Sequence, residues 1–427
     1  MLTITQKLKC RTPAKVLALL FTLSASGLSC YAQKIATLEV KLSRPSAALQ
    51  VPVEVMLDPI THLPDSSLQL VEVQGNKKIP VRFQIVGGGD RKLAFFIKDD
   101  VKVKRYELMK SDRSAGISPI LTTENNNGAL TLKAGNSNLL RYQYEIVNPP
   151  EGINPVYGRG AFIHPLWSPR GQVLTRIQPP DHYHHYGLWN PWTHVLYEGD
   201  TIDFWNLNAK QGTVRFSSFT SVTSGDIFGE YAALHEHVVY PQQEKEKVAL
   251  REIQTVRVYA PPANENYYIA DITVEMNCAD SPVRLLEYRY GGIGWRATEQ
   301  WTKENSRVLT SEGKTRKEAD GSKARWCIVE GSVGGANAGA VMMSYPSNYN
   351  HPEPLRIWPE NSNRNRGDMF ANFSPTKDMD WPLEPGRNYV LKYRFVVFND
   401  TFSKEKAEAA WQDFASPPTV TVLKAER

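Results

Sequence analysis

Apolar and polar positions alternate strictly in short runs from residue 36 onward. Ala36-Thr-Leu-Glu-Val-Lys-Leu42 is the first, followed by Val51-Pro-Val-Glu-Val-Met-Leu57 and Leu68-Gln-Leu-Val-Glu-Val73. Val81-Arg-Phe-Gln-Ile-Val86 and Leu93-Ala-Phe-Phe-Ile97 continue the series. A period of two puts one face of each run on a core and the other in water, so these runs predict antiparallel strands. Their density predicts an immunoglobulin-like β-sandwich over residues 33–112. His62 is the one histidine in this part, beside Pro64 and Asp65 in a predicted turn, and the module reads as packing rather than chemistry.

Polar, turn-rich stretches at 111–116 and 124–128 mark a boundary. Longer alternating runs follow, among them Ile253-Gln-Thr-Val-Arg-Val-Tyr259, Tyr268-Ile-Ala-Asp-Ile-Thr-Val274 and Tyr389-Val-Leu-Lys-Tyr-Arg-Phe-Val-Val397. No helices alternate with them, so residues 125–415 are expected to form one large antiparallel β-sandwich, and the chain as a whole is all-β. One helix is predicted, over Ser403 to Phe414. Ser403 caps it, Glu405 sits in its first turn, and Ala407, Ala410, Trp411 and Phe414 recur at helical spacing.

The first 32 residues do not fit this pattern. Lys7, Lys9, Arg11 and Lys15 precede the apolar run Val16–Leu23, and Cys30-Tyr-Ala32 supplies a small-x-small cleavage pattern. They read as a secretory signal peptide, and the mature chain as periplasmic or secreted. A lipid anchor at Cys30 is disfavoured, because Gly27 stands where a larger aliphatic residue is usual. Removing those four positive charges from a formal +5 leaves +1. Such a balance gives no basic footprint for nucleic acid, and no integral membrane span follows the leader. Of four cysteines only Cys278 and Cys327 lie beyond the leader. Both sit in strand-like apolar contexts, which leaves a disulfide and two buried thiols both open.

Candidate chemistry concentrates in Asp181-His-Tyr-His-His-Tyr-Gly-Leu-Trp-Asn-Pro-Trp192. Seven of nine histidines fall between 164 and 237, so the region is the place to look for proton transfer or metal binding. In an extended strand His182 and His184 share one face and His185 takes the other; the neighbouring Pro179, Pro180 and Gly187 point to a loop instead. His235 and His237 share one face of a predicted strand and form a weaker metal candidate. Tyr290-Gly-Gly-Ile-Gly-Trp-Arg-Ala-Thr-Glu299 lets backbone approach a ligand closely and brings Trp295, Arg296 and Glu299. Arg364 and Arg366, in the polar loop 361–368, are placed to meet an anionic substrate. There is no Gly-x-Ser-x-Gly elbow, no phosphate-binding loop and no His-Glu-x-x-His motif, which removes the commonest hydrolase, nucleotide-binding and metalloprotease readings.

These residues together resemble a known family. His164-Pro-Leu-Trp-Ser-Pro-Arg-Gly-Gln-Val-Leu-Thr-Arg176, Asp181-His-Tyr-His-His-Tyr-Gly-Leu188, Tyr290–Glu299, Arg325-Trp-Cys327 and Pro382-Leu-Glu-Pro-Gly386 are similar, in order, to a bacterial family of unknown function that often carries a methane-oxygenase label. The resemblance spans roughly 125–415. The label implies a membrane protein and is set aside, since no spanning segment follows the leader. Tyr186 stands where the family often has arginine. The resemblance implies a supersandwich similar to galactose mutarotases and polysaccharide lyases, and a setting of glycan degradation.

The leading expectation is an exported enzyme acting on an oligosaccharide, one carrying a uronate among the options, by proton transfer and C–O cleavage of lyase or dehydratase type. His184 or His185 is the base, and Tyr186 or the other histidine the acid. Arg176 or Arg296 stabilises developing negative charge. His164, His182, Trp189, Asn190, Trp192, Trp295, Arg296 and Arg364 are expected to bind substrate, the tryptophans as a sugar platform. A hydrolase using Glu299 or Glu287, an epimerase on the same fold, and a non-catalytic glycan-binding protein are the alternatives. No cofactor is required, although a metal-dependent enzyme using His164, His182 and His184 remains open.

Overall fold

A computed structural model describes residues 33–44, 49–87, 90–97, 102–111, 119–240 and 245–424. The predicted signal peptide, and most of the boundary at 111–116, lie outside the described residues. The described chain is all-β, its sheets antiparallel throughout, with short helices at Ser362–Asn365 and Lys404–Ala415.

The first module is two small sheets. Val51–Met56, Lys92–Ile97 and Phe83–Val86 make one. Lys34–Lys41, Val103–Lys110, Leu68–Gln74 and Lys77–Val81 make most of the other. Leu38, Val40, Val53, Leu70, Leu93, Phe95 and Leu108 fill the space between them, as the period-two pattern requires. The expected boundaries need one correction. The last described strand, Thr419–Lys424, returns to this module and pairs along Lys34–Lys41, so the module is not one continuous stretch.

The larger body is a nine-stranded sheet facing an eight-stranded one, with a four-stranded sheet beside them. The long central strands of the eight-stranded sheet, Phe228–Val239, Lys247–Tyr259, Tyr267–Cys278 and Tyr389–Asn399, present alternate residues to a shared core. The opposite face is covered by the helix Lys404–Ala415 and by the first module, where Leu49 and Ala94 pack with Phe228, Ile269, Trp326, Val341 and Phe414. Gln84 of the first module accepts hydrogen bonds from the backbone of Ile227 and Phe228. Ser403 caps the helix by accepting from Lys406 N at 3.1 Å. Cys278 and Cys327 are both buried free thiols, the latter pushed up to about 12 by burial. Among the described residues no helix is long and apolar enough to cross a membrane.

His235 and His237 point inward, toward the core between the two large sheets, and are almost fully buried. Glu252, on the neighbouring strand, reaches His235 Nδ1 at 3.2 Å and His237 Nε2 at 3.0 Å and accepts from Asn190 Nδ2 at 3.1 Å. Tyr142 closes the far side of His235 at 2.6 Å. Burial alone raises the Glu252 carboxyl, but the two histidines outweigh it and hold it near 2. The pair therefore sits in an internal polar network, with the Glu252 carboxylate between its two rings.

Candidate active site

The histidine segment is a hairpin laid on the outer face of the nine-stranded sheet. Thr175 bridges to Ala297 and Ile177 to Tyr186, which pins its stems. Between the stems the chain turns twice: His182 N donates to Pro179 O at 2.8 Å, and His185 N to His182 O at 3.0 Å. Strand alternation would have sent His185 to the opposite face; the double turn brings all three rings together instead. Ring centroids lie 4.7 Å apart for His182 and His185, 5.0 Å for His184 and His185, and 5.3 Å for His182 and His184. One ring nitrogen of each lies within 4.8 Å of the others. Gly187 makes the return possible: its φ is +63°, and a Cβ there would stand 2.4 Å from the Ile163 carbonyl.

The three histidines line a cavity of about 460 Å³, together with Trp205, Asn206, Arg289, Tyr290, Arg356 and Trp358. Trp205 lies against Gly294, where a Cβ would come within 3.1 Å of its ring. Asp203 accepts from the backbone of Trp205 and Asn206, which fixes that rim. Trp358 packs on His182 at 4.8 Å and on His185 at 5.5 Å. Burial and the charge of His182 lower His184 to about 4, and burial with His184 beside it lowers His185. Both are therefore neutral at pH 7. Every residue of this lining belongs to the larger body, so among the described residues the first module contributes nothing to it.

Beside the histidines sits a network of charges. Asp181 contacts His182 Nδ1 at 2.9 Å and pairs with Arg296 at 2.8 Å. Burial pulls its carboxyl up, yet His182 and Arg296 hold it well below the usual carboxylate range. Arg296 also pairs with Asp368 at 2.6 Å and lies over the Trp358 ring at 4.6 Å. Arg176 reaches Asp368 at 3.6 Å and the exposed Glu299 at 3.3 Å.

Several expected roles need correction. Tyr186 is fully buried, and its hydroxyl donates to the Tyr157 carbonyl at 2.5 Å, so it is turned away from the cavity and is no acid there. Arg176 and Arg296 are committed to the carboxylates of this chain, and Glu299 lies with them outside the cavity lining. The expected sugar platform is not open either. Trp189 supports His185 from beneath at 5.3 Å. Trp192 faces Trp381 at 6.1 Å, and Trp295 packs on Trp301 while donating to Leu174 O. Asn190 belongs to the Glu252 network. His164 lies apart, its Nδ1 2.9 Å from Thr175 Oγ1, with burial lowering it to about 4. Arg364 is exposed and off the lining, while its neighbours Ser362 and Asn363 contribute to it.

Trp205, Trp358, Arg289 and Arg356 were not anticipated as site residues. Trp358 adjoins the polar loop that drew attention to Arg364, a juxtaposition that was available to be read. Trp205 and Arg356 carry no such signal, because what places them is the neighbouring strand.

An all-β sandwich with three imidazoles in one aromatic cavity, on the outer face of its larger sheet, defines the class. The chain belongs to the family of unknown function DUF6807, whose model matches residues 129–412. The match spans the larger body except its edge strand Leu121–Asn126, takes in most of its helix, and excludes the first module. No curated protein matches the chain.

Proposed function

We propose that this chain is an exported carbohydrate-active enzyme that cleaves a C–O bond by proton transfer in the three-histidine cavity, a lyase or dehydratase in type. The observation that carries the reading is the convergence of His182, His184 and His185 with Trp205, Tyr290 and Trp358 around one cavity of about 460 Å³. Small-molecule sites run from roughly 300 to 1,000 Å³. Aromatic faces suit the C–H faces of sugar rings, and Asn206, Ser362 and Asn363 offer hydrogen bonds to hydroxyls.

An elimination needs a base for a C–H proton beside a carboxyl group. The C–O bond on the next carbon then breaks, a C=C bond forms, and the departing oxygen takes a proton. His184, neutral at pH 7, is the proton-accepting centre. Arg289 on the wall suits the substrate carboxylate, while Arg356 beside it is already paired with Asp320 at 2.6 Å; the Arg289 guanidinium makes a uronate-containing oligosaccharide the favoured substrate. A hydrolase needs a pair of carboxylates across the bond, and the described lining includes none. The leader pattern in residues 1–32 supports a periplasmic or secreted setting.

The test is turnover of neutral and acidic oligosaccharides by wild type and His184→Ala, followed by mass spectrometry. Products whose masses sum to that of the substrate, absent in the variant, are expected. Products that together gain a water mean hydrolysis. Tight sugar binding without any product, unchanged in His184→Ala, means a binding protein and ends the enzyme reading.

A further inference from the structure

We propose that His182, His184 and His185 hold one divalent transition-metal cation, with Asp181 as the outer partner of His182 and the remaining coordination positions open to the cavity. The proposal rests on the reading that this cavity is the reaction site, and it names the centre that stabilises charge there; with the imidazoles as ligands, a water on the cation takes over the proton-accepting role given to the histidines above.

Geometry comes first. Three ring nitrogens already lie within 4.8 Å of one another. Imidazole nitrogens bind zinc at about 2.0–2.1 Å, which sets tetrahedral donors about 3.4 Å apart. The gap between the two spacings is about 1.4 Å at most, within the reach of side-chain rotation about χ1 and χ2.

The surroundings of His182 point the same way. Its Nδ1 is 2.9 Å from the Asp181 carboxylate, which leaves Nε2 as the free donor. Asp181 is itself held by Arg296, and Arg296 by Asp368. A carboxylate behind a histidine fixes its tautomer and ring orientation, as in metal sites generally. His185 adds an independent observation. It is 3% exposed, and its buried Nδ1 has no hydrogen-bond partner. A buried imidazole with an unsatisfied nitrogen is costly unless a further ligand holds the ring for another purpose.

Aromatic rings cover the cluster from behind. Trp358 covers His182, and Trp189 and Phe370 cover His185 at 5.3 and 5.1 Å, so one side of the cluster is left for ligand. An all-nitrogen donor set selects Zn²⁺, Fe²⁺, Ni²⁺ or Cu²⁺ over Mg²⁺ and Ca²⁺, which take oxygen ligands. The contrast with His235 and His237 is informative. Those two already share the Glu252 carboxylate, whereas among the described residues the group of three cavity histidines includes no carboxylate, Asp181 touching only the outer nitrogen of His182. The site also fills a vacancy in the chemistry. Tyr186 donates to a backbone carbonyl and Arg296 is doubly paired, so neither is available to offset charge developing on a substrate. A bound cation supplies that charge as a Lewis acid.

The experiment uses the whole mature chain, stripped with chelator and titrated with Zn²⁺ by calorimetry, with elemental analysis of the reloaded protein. One equivalent of Zn²⁺ is expected. His184→Ala should weaken binding at least 100-fold, and Asp181→Asn about 10–100-fold. Thermal melts with and without Zn²⁺ give a second readout: the metal should raise the Tm of wild type and not that of His184→Ala. If His184→Ala does not fold, His182→Gln takes its place. No stoichiometric binding of Zn²⁺, Fe²⁺, Ni²⁺ or Cu²⁺, or equal binding by both proteins, overturns the site. Failure here and failure of the functional reading are separable. Sugar turnover that persists in metal-free protein overturns the metal site alone. Stoichiometric metal with no turnover on any oligosaccharide overturns the carbohydrate reading alone.

Discussion

Tyr186 and Gly187 adjoin the histidines and do opposite work. The Tyr186 hydroxyl donates to the Tyr157 carbonyl inside an aromatic cluster, so Tyr186→Phe removes one hydrogen bond and little volume. Denaturant unfolding should show a loss of about 1 kcal/mol, with Zn²⁺ affinity unchanged; a large drop in that affinity would return Tyr186 to the site. Gly187→Ala is the harsher change. Its positive φ and the carbonyl 2.4 Å from any Cβ leave no room for a side chain. Backbone strain of this kind costs about 1–3 kcal/mol. The hairpin should shift to relieve it, so the same unfolding experiment should show destabilisation and the zinc titration a loss of affinity. At this scale the sequence shows the three histidines as close neighbours along the chain. It could not orient them, because alternation is a property of extended backbone and this segment turns twice in seven residues, Pro179 to His185.

Among the elements, the helix Lys404–Ala415 was legible from its cap and its spacing, since both signals are local. The strand Thr419–Lys424 was not assigned, although Thr-Val-Thr-Val-Leu alternates, because a strand is defined by its partner. That partner is Lys34–Lys41, at the other end of the described chain, with Val420 and Val422 packed against the first module's core. Truncation after Ser416 should strip this edge. Hydrogen exchange of the Lys34–Lys41 amides that face the lost strand should speed up, while Tyr389–Asn399 stays protected. Unchanged protection of Lys34–Lys41 would show that the tail contributes nothing to the module.

Across the whole molecule, two buried acids set opposing pH dependences. Glu252 is held near 2 against a usual 4.5, so the unfolded chain binds its proton more tightly than the fold. Its contribution is present above pH 4.5 and is lost as pH falls toward 2, on the order of 3 kcal/mol in all. Glu353 behaves in the reverse sense. Burial outweighs its hydrogen bonds from Ser344, Asn348 and Tyr393 and raises it to about 7. Its contribution is present below pH 4.5 and is lost as pH rises through 7. Chemical unfolding from pH 3 to 8 should therefore rise and then decline, and Glu353→Gln should flatten the decline. Glu252→Gln should cost about 3–5 kcal/mol at pH 7, since it leaves two buried histidines without their carboxylate. A Glu353→Gln profile that still declines between pH 4.5 and 7 would assign the decline to another group.

The sequence by itself determined the class of fold. The runs Ile253–Tyr259 and Tyr389–Val397 carry the period of two that only a half-buried strand satisfies, and the capped helix announces itself within one turn. It also singled out the segment where imidazoles concentrate, since three histidines in four positions need no partner to be noticed. The tertiary structure alone decided which residues share a space. Trp205, Arg289 and the pair Arg356 and Trp358 reach one cavity from three segments, while Trp192 and Trp295 are withdrawn into the core between the sheets and Trp189 is buried beneath His185. The same holds for His235 and His237, whose burial depends on a second sheet closing over them. Periodicity reports which face of a strand is apolar; what stands opposite that face is set by pairings across hundreds of residues, and those are written only in the folded chain.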